Sequence, residues 1–412
     1  MLTVEQYDTR ERAAMAALPN RVVEMVNPVV FAAEGYPTRL RSDSELWKYL
    51  DVMHETRFER DFATLFGGGL TESEFGWLQS VARIAHGMSQ KHFGRNLTAR
   101  GSLLRAVNVF RHINNIFGGS PARVFELGPG SGYLGCLFVL NNWSYAASDI
   151  TQAFYLAQNF LWDHASGGRL RDLAEDPAWD GTLAPGQPVH IPWWEFFTLP
   201  ERGLPSVDVV TCNHALAEMH PHSMAFALRV AHGMLSGQGL KAFIFEGWGF
   251  EKFVPRSMIT ERFYRFGYRL VHNDNEITVF APHETAGATP SARSLRLAHA
   301  WKHRGRGNSV EVAARDSKWS ALGAFSDLKA TVGSLEFLSG MKRFYQSFWF
   351  WPPRVASRRN PISAAILQGR KRRQGERRVG LEAVDRFYAE LLNTADLLTA
   401  DERFLRFIDT SV

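Results

Sequence analysis

Apolar residues recur at helical spacing through the first ~118 residues. Ser42 and Glu45 form a capping box ahead of Leu46, Leu50 and Met53, and Thr71 and Glu74 form another ahead of Phe75, Leu78, Ala82 and Ala85. A third stretch, from Ser102, puts Leu103, Val107, Phe110 and Phe117 at helical intervals and stops at Gly118-Gly119, with Pro121 beyond. No strand-like alternation interrupts this region, so residues 1–118 read as helical.

From Pro121 the pattern changes to short apolar runs separated by helical stretches. Strands are expected at Arg123–Leu127, Trp143–Ser148, Val189–Pro192, Val207–Cys212 and Leu240–Phe245. Helices are expected at 132–141, 152–165 and 223–235, with the Asp-, Gly- and Pro-rich residues 169–188 as loop. Such alternation implies a parallel sheet covered by helices on both faces. Tyr268–His272 and Glu276–Phe280, separated only by Asn273-Asp274-Asn275, read as a hairpin that turns one strand antiparallel. Residues 284–412 are read as a third, mostly helical segment. It holds an aromatic knot, Phe344–Trp351, a basic run from Arg370, and an amphipathic helix near 381–398.

Composition narrows the class. With 45% hydrophobic and 22% charged residues the chain is globular rather than disordered. Two cysteines, Cys136 and Cys212, make neither a disulfide framework nor a four-ligand zinc site. No signal peptide or membrane-length apolar run is visible, so a cytoplasmic protein is expected. The net charge of +5 is uneven: residues 291–380 hold 19 Lys/Arg against 5 Asp/Glu, leaving 28 basic and 37 acidic residues elsewhere. That segment has its own job or its own partner, a nucleic acid or an acidic acceptor, unless it is no more than a solvated surface.

The sharpest motif is Glu126-Leu-Gly128-Pro-Gly130-Ser-Gly132, between the first strand of the sheet and its helix. Glycines there let a ligand approach the backbone, and the helix N-terminus offers unpaired N–H groups. Asp149 closes the next strand, where a carboxylate can accept from both hydroxyls of a ribose. A dinucleotide fingerprint counted from Gly128 would need glycine at Tyr133. The acid at Glu126, two residues before the first glycine, instead suits a cofactor with an ammonium group. S-adenosylmethionine is the cofactor expected; NAD, or a tight turn with no ligand, are the alternatives.

Glu126 through Gly132, Asp149 and the late hairpin resemble the class I S-adenosylmethionine-dependent methyltransferases over about residues 121–282. That resemblance implies an α/β fold with a doubly wound seven-stranded sheet of order 3-2-1-4-5-7-6, last strand antiparallel, across residues 119–283. Residues 1–118 would be a helical extension that lids the cleft and contributes acceptor contacts, and residues 284–412 a basic, mostly helical one. The segments Asp149–Gln158 and Asn213–Met219 are similar to a family of sugar O-methyltransferases from natural-product pathways. On this resemblance Gly128, Gly130 and Gly132 approach the amino-acid part of the cofactor, Glu126 holds its ammonium and Asp149 its ribose. Trp193, in a loop after strand three, flanks the adenine or merely fills the cleft wall, and Asn213 is a further cofactor contact.

A hydroxyl acceptor needs a base nearby. Strand four ends in a segment carrying His214, Glu218, His220 and His222, and strand five ends at Glu246 and Trp248. His214 is the first candidate, since imidazole accepts protons near neutral pH. Glu218, four residues on, would share its helical face, and Glu246 would face the same cleft or pair with a cation at its rim. The histidine cluster has no diagnostic metal spacing, so no metal is assigned. The expected protein is a small-molecule O-methyltransferase for a sugar-like or acidic acceptor, with homodimerisation through the aromatic knot an option. The rivals are a nucleic-acid methyltransferase using the basic segment and a non-catalytic scaffold of the same fold. The nucleic-acid rival meets Asn213-His-Ala-Leu where base-amino methyltransferases carry an Asn/Asp-Pro-Pro-aromatic signature.

Overall fold

The computed structural model describes residues 1–25, 39–49, 58–94, 98, 100–247, 256–283, 355–356, 358 and 360–392. The aromatic knot, Trp248, Leu50, Met53 and most of the basic segment lie outside them.

Several helices start where the sequence supplies a side-chain cap. In α1 (Val4–Ala17) Thr3 and Gln6 form a capping box. α2 (Asn20–Met25) follows, and the Ser42–Glu45 signal opens a 3-10 helix, Asp43–Tyr49, rather than the expected α-helix. There the Glu45 side chain accepts from Arg41 N at 2.8 Å. After α3 (Phe58–Phe66) comes β1 (Gly69–Thr71), a strand in a region expected to have none. α4 (Glu72–Phe93) begins on the expected box, with Glu74 N donating to Thr71 Oγ1 at 3.2 Å and Thr71 N to Glu74 Oε2 at 2.8 Å. α5 (Arg100–Ile116) completes this part.

Strands and helices then alternate: β2 (Arg123–Leu127), α6 (Tyr133–Leu140), β3 (Ser144–Asp149), α7 (Gln152–Ser166), β4 (Arg171–Asp172), β5 (Pro188–Pro192), α8 (Trp193–Arg202), β6 (Val209–Thr211), α9 (Pro221–Met234), β7 (Ala242–Phe245), α10 (Arg256–Arg265), β8 (Tyr268–Asn273) and β9 (Thr278–Pro282). β10 (Val355–Ala356), α11 (Pro361–Gln374), β11 (Arg378–Gly380) and α12 (Leu381–Leu392) close the described chain.

The main sheet has nine strands in the order β10-β8-β9-β7-β6-β2-β3-β5-β4, which differs in count and order from the seven expected. Two-residue strands cause the difference. β4 lies in the stretch expected to be loop and pairs with β5, and β10 covers the outer edge of β8. Neither is long enough to show alternation, and both blunt an open sheet edge. Between them, numbering the other seven by their succession in the chain, the order from β5 to β8 is 3-2-1-4-5-7-6. β2 pairs in parallel with β3 and β6, and β9 runs antiparallel to β7 and β8.

Alternation along β2 divides the core. Val124 joins the cluster that includes Leu104, Phe138, Tyr145 and Trp162, whereas Phe125 and Leu127 join Val210, Leu228 and Phe263 on the other face. Burying such side chains contributes roughly 1.5–3 kcal/mol each. Glu126 therefore lies on the same face as Val124 and Tyr145, at the carboxyl end of the central strand.

The two chain extensions meet. β1 pairs antiparallel with β11, with Leu70 opposite Val379. Beside it, α11 turns two arginines of the basic run inward. Arg373 Nε bonds Glu74 Oε1 at 2.8 Å, and Arg370 ion-pairs with Asp274 at 2.6 Å and Glu276 at 3.4 Å. Arg111 Nη2 also reaches Glu276, at 2.6 Å. Burial alone would raise the Glu276 carboxyl, but His112, Arg111 and Arg370 hold it down at about 2. Asp274 is likewise held well below its ordinary value against burial, by His272 and Arg370. Arg370→Ala is expected to lower unfolding stability by about 1–3 kcal/mol in urea at pH 7. The ordinary Glu value is 4.5, so the pairing is fully present above it and fades as the pH falls through about 2. The gap between variant and wild type should therefore narrow below about pH 4.5, which urea titrations at a series of pH values check.

Candidate functional site

β2 ends in a turn where Gly128, Gly130 and Gly132 have φ of 64°, 57° and 75°. All three lie in the left-handed region, where a Cβ is costly, so the spacing of glycines follows from the turn itself. Gly128 N donates to Ser148 O at 2.9 Å, tying the turn to β3. Gly132 caps α6 with no side-chain oxygen on the first-turn N–H groups. Gln158 Nε2, from α7, donates to Gly130 O at 2.7 Å and to Asp149 Oδ2 at 2.9 Å. Trp162 Nε1 donates to Gly132 O at 2.8 Å.

Glu126 and Asp149 stand at the carboxyl ends of adjacent parallel strands, 2% and 4% exposed. Tyr145 O–H donates to Glu126 Oε2 at 2.7 Å, whereas Oε1 has a long 3.5 Å contact from Asn213 Nδ2. Burial pushes the Glu126 carboxyl up to about 7, against the pull of Tyr145 and Asn213. Burial also raises Asp149, to about 6, although Thr151 N and Gln158 donate to it. No Lys or Arg among the described residues bonds either carboxylate in the structure.

Asn213 connects this end to the next. Its Nδ2 donates to Thr211 Oγ1 at 3.0 Å and its Oδ1 accepts from Glu246 N at 3.0 Å. His214 follows with φ 60°, an uncommon conformation for a residue with a side chain and one found disproportionately at functional sites. His214 N donates to Gly247 O at 3.0 Å, joining the ends of β6 and β7. The imidazole packs over Gly247 so closely that a Cβ there would lie 2.1 Å from His214 Cε1.

His214 Nε2 lies 2.8 Å from Glu246 Oε2 and 2.7 Å from Arg105 Nη1. Protonated, it donates to Glu246; deprotonated, it accepts from Arg105. Arg105 Nη1 also reaches both Glu246 oxygens, at 2.8 and 2.9 Å, and Arg105 Nε donates to Asp61 Oδ2 at 2.7 Å. Burial would raise Glu246, but His214 and Arg105 hold it below its ordinary value. Arg105 and Asp61 come from α5 and α3, so the N-terminal helices complete the cluster. Motif reading missed both. Neither carries a local signal: Asp61 follows Glu59 and Arg60, and Arg105 shares its helix with Arg100 and Arg111.

Other expected residues lie elsewhere. Glu218 does not share a helix face with His214. A single turn closes from Glu218 N to Ala215 O, and α9 begins only at Pro221, because the left-handed His214 lies outside helical geometry. His220 caps α9, its Nδ1 accepting from His222 N at 3.2 Å. Trp193 opens α8 rather than lying in a loop: Pro192 supplies the extended residue before the helix without a recognisable side-chain cap. Its indole N–H donates to Glu11 Oε1 at 2.7 Å, and it is 3% exposed. Among the described residues, no group of three or more His, Cys, Asp or Glu is placed to hold a metal ion, and no helix is long and apolar enough to cross a membrane.

No protein-family model matches the chain, and no curated protein matches it. Solved structures similar to it include EvdMO1, at 14% identity over 50% of this chain, with a TM-score of 0.29. This chain covers 44% of that one, so it spans less than half of its length. Magnesium protoporphyrin IX methyltransferase from Synechocystis PCC 6803 with bound SAM is 12% identical over 57% of this chain and 97% of its own, at a TM-score of 0.27. The 16S rRNA methyltransferase RmtF in complex with S-adenosyl-L-homocysteine is 13% identical over 67% of this chain and 97% of its own, at 0.28. At such identity and overlap, the relation to a fold rests on the strand order and not on these chains.

Proposed function

We propose that the protein is an S-adenosylmethionine-dependent methyltransferase acting on the hydroxyl of a small, sugar-like molecule. The observation that carries this reading is the buried Glu126 carboxyl, with Oε1 nearly unpartnered, beside three left-handed glycines and Asp149. A cationic amine would satisfy Oε1, and ribose hydroxyls would take the remaining acceptor positions of Asp149. The strand order between the two edge strands, that of the class I methyltransferases, supports the same reading. Asn213 then positions Glu126 from the far side, while Trp193 walls the cleft beyond β5.

The bound cofactor supplies an electrophilic methyl carbon, and alignment of the acceptor accounts for much of the acceleration. The chain's own task is to hold the acceptor and take its proton. His214, 27% exposed at its side chain, is the base: with Nε2–H held by Glu246 Oε2, Nδ1 takes the acceptor's proton and Glu246 balances the imidazolium that forms. Arg105 positions both groups and is itself balanced by Asp61. Two carboxylates against one guanidinium favour an uncharged acceptor over a phosphorylated one. Glu218, half-buried one turn away, borders this end of the cleft.

Incubating the protein with methyl-labelled S-adenosylmethionine and an extract of the source cell tests the reading. A single small molecule should acquire the label on oxygen; label confined to RNA or protein would contradict it. Gly247→Ala is expected to cut this transfer by roughly tenfold to a hundredfold, since the imidazole must leave its seat, with cofactor affinity unchanged. The same assay, run beside a cofactor titration, checks both halves.

A further inference from the structure

α1 lies against the carboxyl ends of β3 and β5. Trp193 donates to Glu11, Gln152 donates to Asp8, and Arg39 pairs with both Asp8 and Glu11. Leu40 N donates to Gln152 Oε1 at 2.8 Å, fastening the following chain to the start of α7. Within this contact Tyr7 is fully buried, its ring 5.1 Å from Trp194 and 5.3 Å from Tyr155. Its hydroxyl has no hydrogen-bond partner. The next residue, Asp8, accepts from Gln152, three residues beyond Asp149, which sets Tyr7 at the carboxyl end of β3. A second orphan sits beside Asp149. Gln158 Oε1 is buried without a partner, and the amide cannot be flipped to pair it, because both groups facing Nε2, Gly130 O and Asp149 Oδ2, are acceptors.

A buried hydroxyl left unpaired costs about 1–3 kcal/mol, so it calls for an occupant. A ribose hydroxyl is both donor and acceptor. Between Tyr7 and Asp149 it can accept from the phenol and donate to the carboxylate, and its neighbour can donate to Gln158 Oε1. We infer that Tyr7, contributed by the N-terminal helix, is a cofactor-binding residue that donates to the ribose of the adenosyl group, with Gln158 as acceptor on the same sugar. This rests on the cofactor reading above, and it makes α1 a wall of the nucleoside site, so that entry and release of the ligand require α1 to part from Trp193 and Gln152.

Calorimetric titration with S-adenosylhomocysteine tests it, using wild type and Tyr7→Phe together with thermal melts of the free proteins. Tyr7→Phe is expected to bind about 5- to 30-fold more weakly while melting at the same temperature or higher, because an unpaired hydroxyl is removed. The 2′-deoxy and 3′-deoxy ligands extend the test. One of them should lose affinity for wild type and lose little more in Tyr7→Phe. Equal binding by the two proteins, or a Tyr7→Phe penalty undiminished for both deoxy ligands, would overturn the inference while leaving the cofactor reading intact. No binding of S-adenosylhomocysteine by wild type would remove the cofactor reading, and this inference with it.

Discussion

Glu126→Gln should lose cofactor binding at pH 8 by at least about a hundredfold, while the ligand-free variant becomes more stable than wild type. Both effects come from one buried carboxyl. In the free protein its value is about 7 against an ordinary 4.5. Between those two values the folded state keeps a proton that the unfolded chain has released, so wild-type stability falls as the pH rises through the window. Above pH 7 the full cost applies, about 3 kcal/mol or slightly more for a shift of this size. Glutamine keeps the acceptor for Tyr145 O–H and never ionises, so the variant escapes the cost. A cationic amine pairs with the carboxylate and not with the acid. Wild-type affinity should therefore weaken below pH 7, by up to about tenfold per unit, with a proton released on binding. Urea unfolding at pH 5 and 8, and titrations in buffers of differing ionisation heat, measure these quantities. A variant no more stable than wild type at pH 8 would show that the carboxylate has a partner in the free protein.

His214→Asn should cut methyl transfer by about 10²- to 10⁴-fold, the usual range for loss of a general base, with cofactor affinity within about twofold of wild type. Asparagine is the informative replacement because it tolerates the left-handed backbone that His214 adopts, so the ends of β6 and β7 stay joined. Glu246 keeps Arg105 in the variant, which prevents an unpaired buried charge from confusing the result. Transfer within about threefold of wild type would place the base elsewhere. Rates come from labelled donor and the extract fraction that carries the acceptor.

Local chemistry made the glycine turn and its two carboxylates legible in the sequence. Three glycines two residues apart can be read without a structure because left-handed backbone selects them one by one, and Asp149 follows from the strand that precedes it. The β8–β9 hairpin was legible for the same reason, although its turn is Asp274–Ile277, with the expected turn residue Asn273 closing β8 opposite Thr278. Arg105 and Asp61 were not, because nothing local marks which face of a helix will meet strands more than a hundred residues away. β1 and β11 meet across some 300 residues, and three residues of Gly-Leu-Thr carry no period. Trp193 was read as loop because its helix begins after a proline with no capping side chain. Part of the basic run read as a surface for partners, and pattern alone could not reveal that Arg370 and Arg373 turn inward toward three carboxylates from two separate segments. Tyr7 had no motif at all; only its buried, unpaired hydroxyl marks it.

The most direct test of the account is a calorimetric titration of S-adenosylhomocysteine into the full chain at pH 8, repeated with Asp149→Ala. One molecule should bind per chain, with binding lost in the variant. A wild-type protein that takes up no ligand, or a variant that binds as well as wild type, would contradict it.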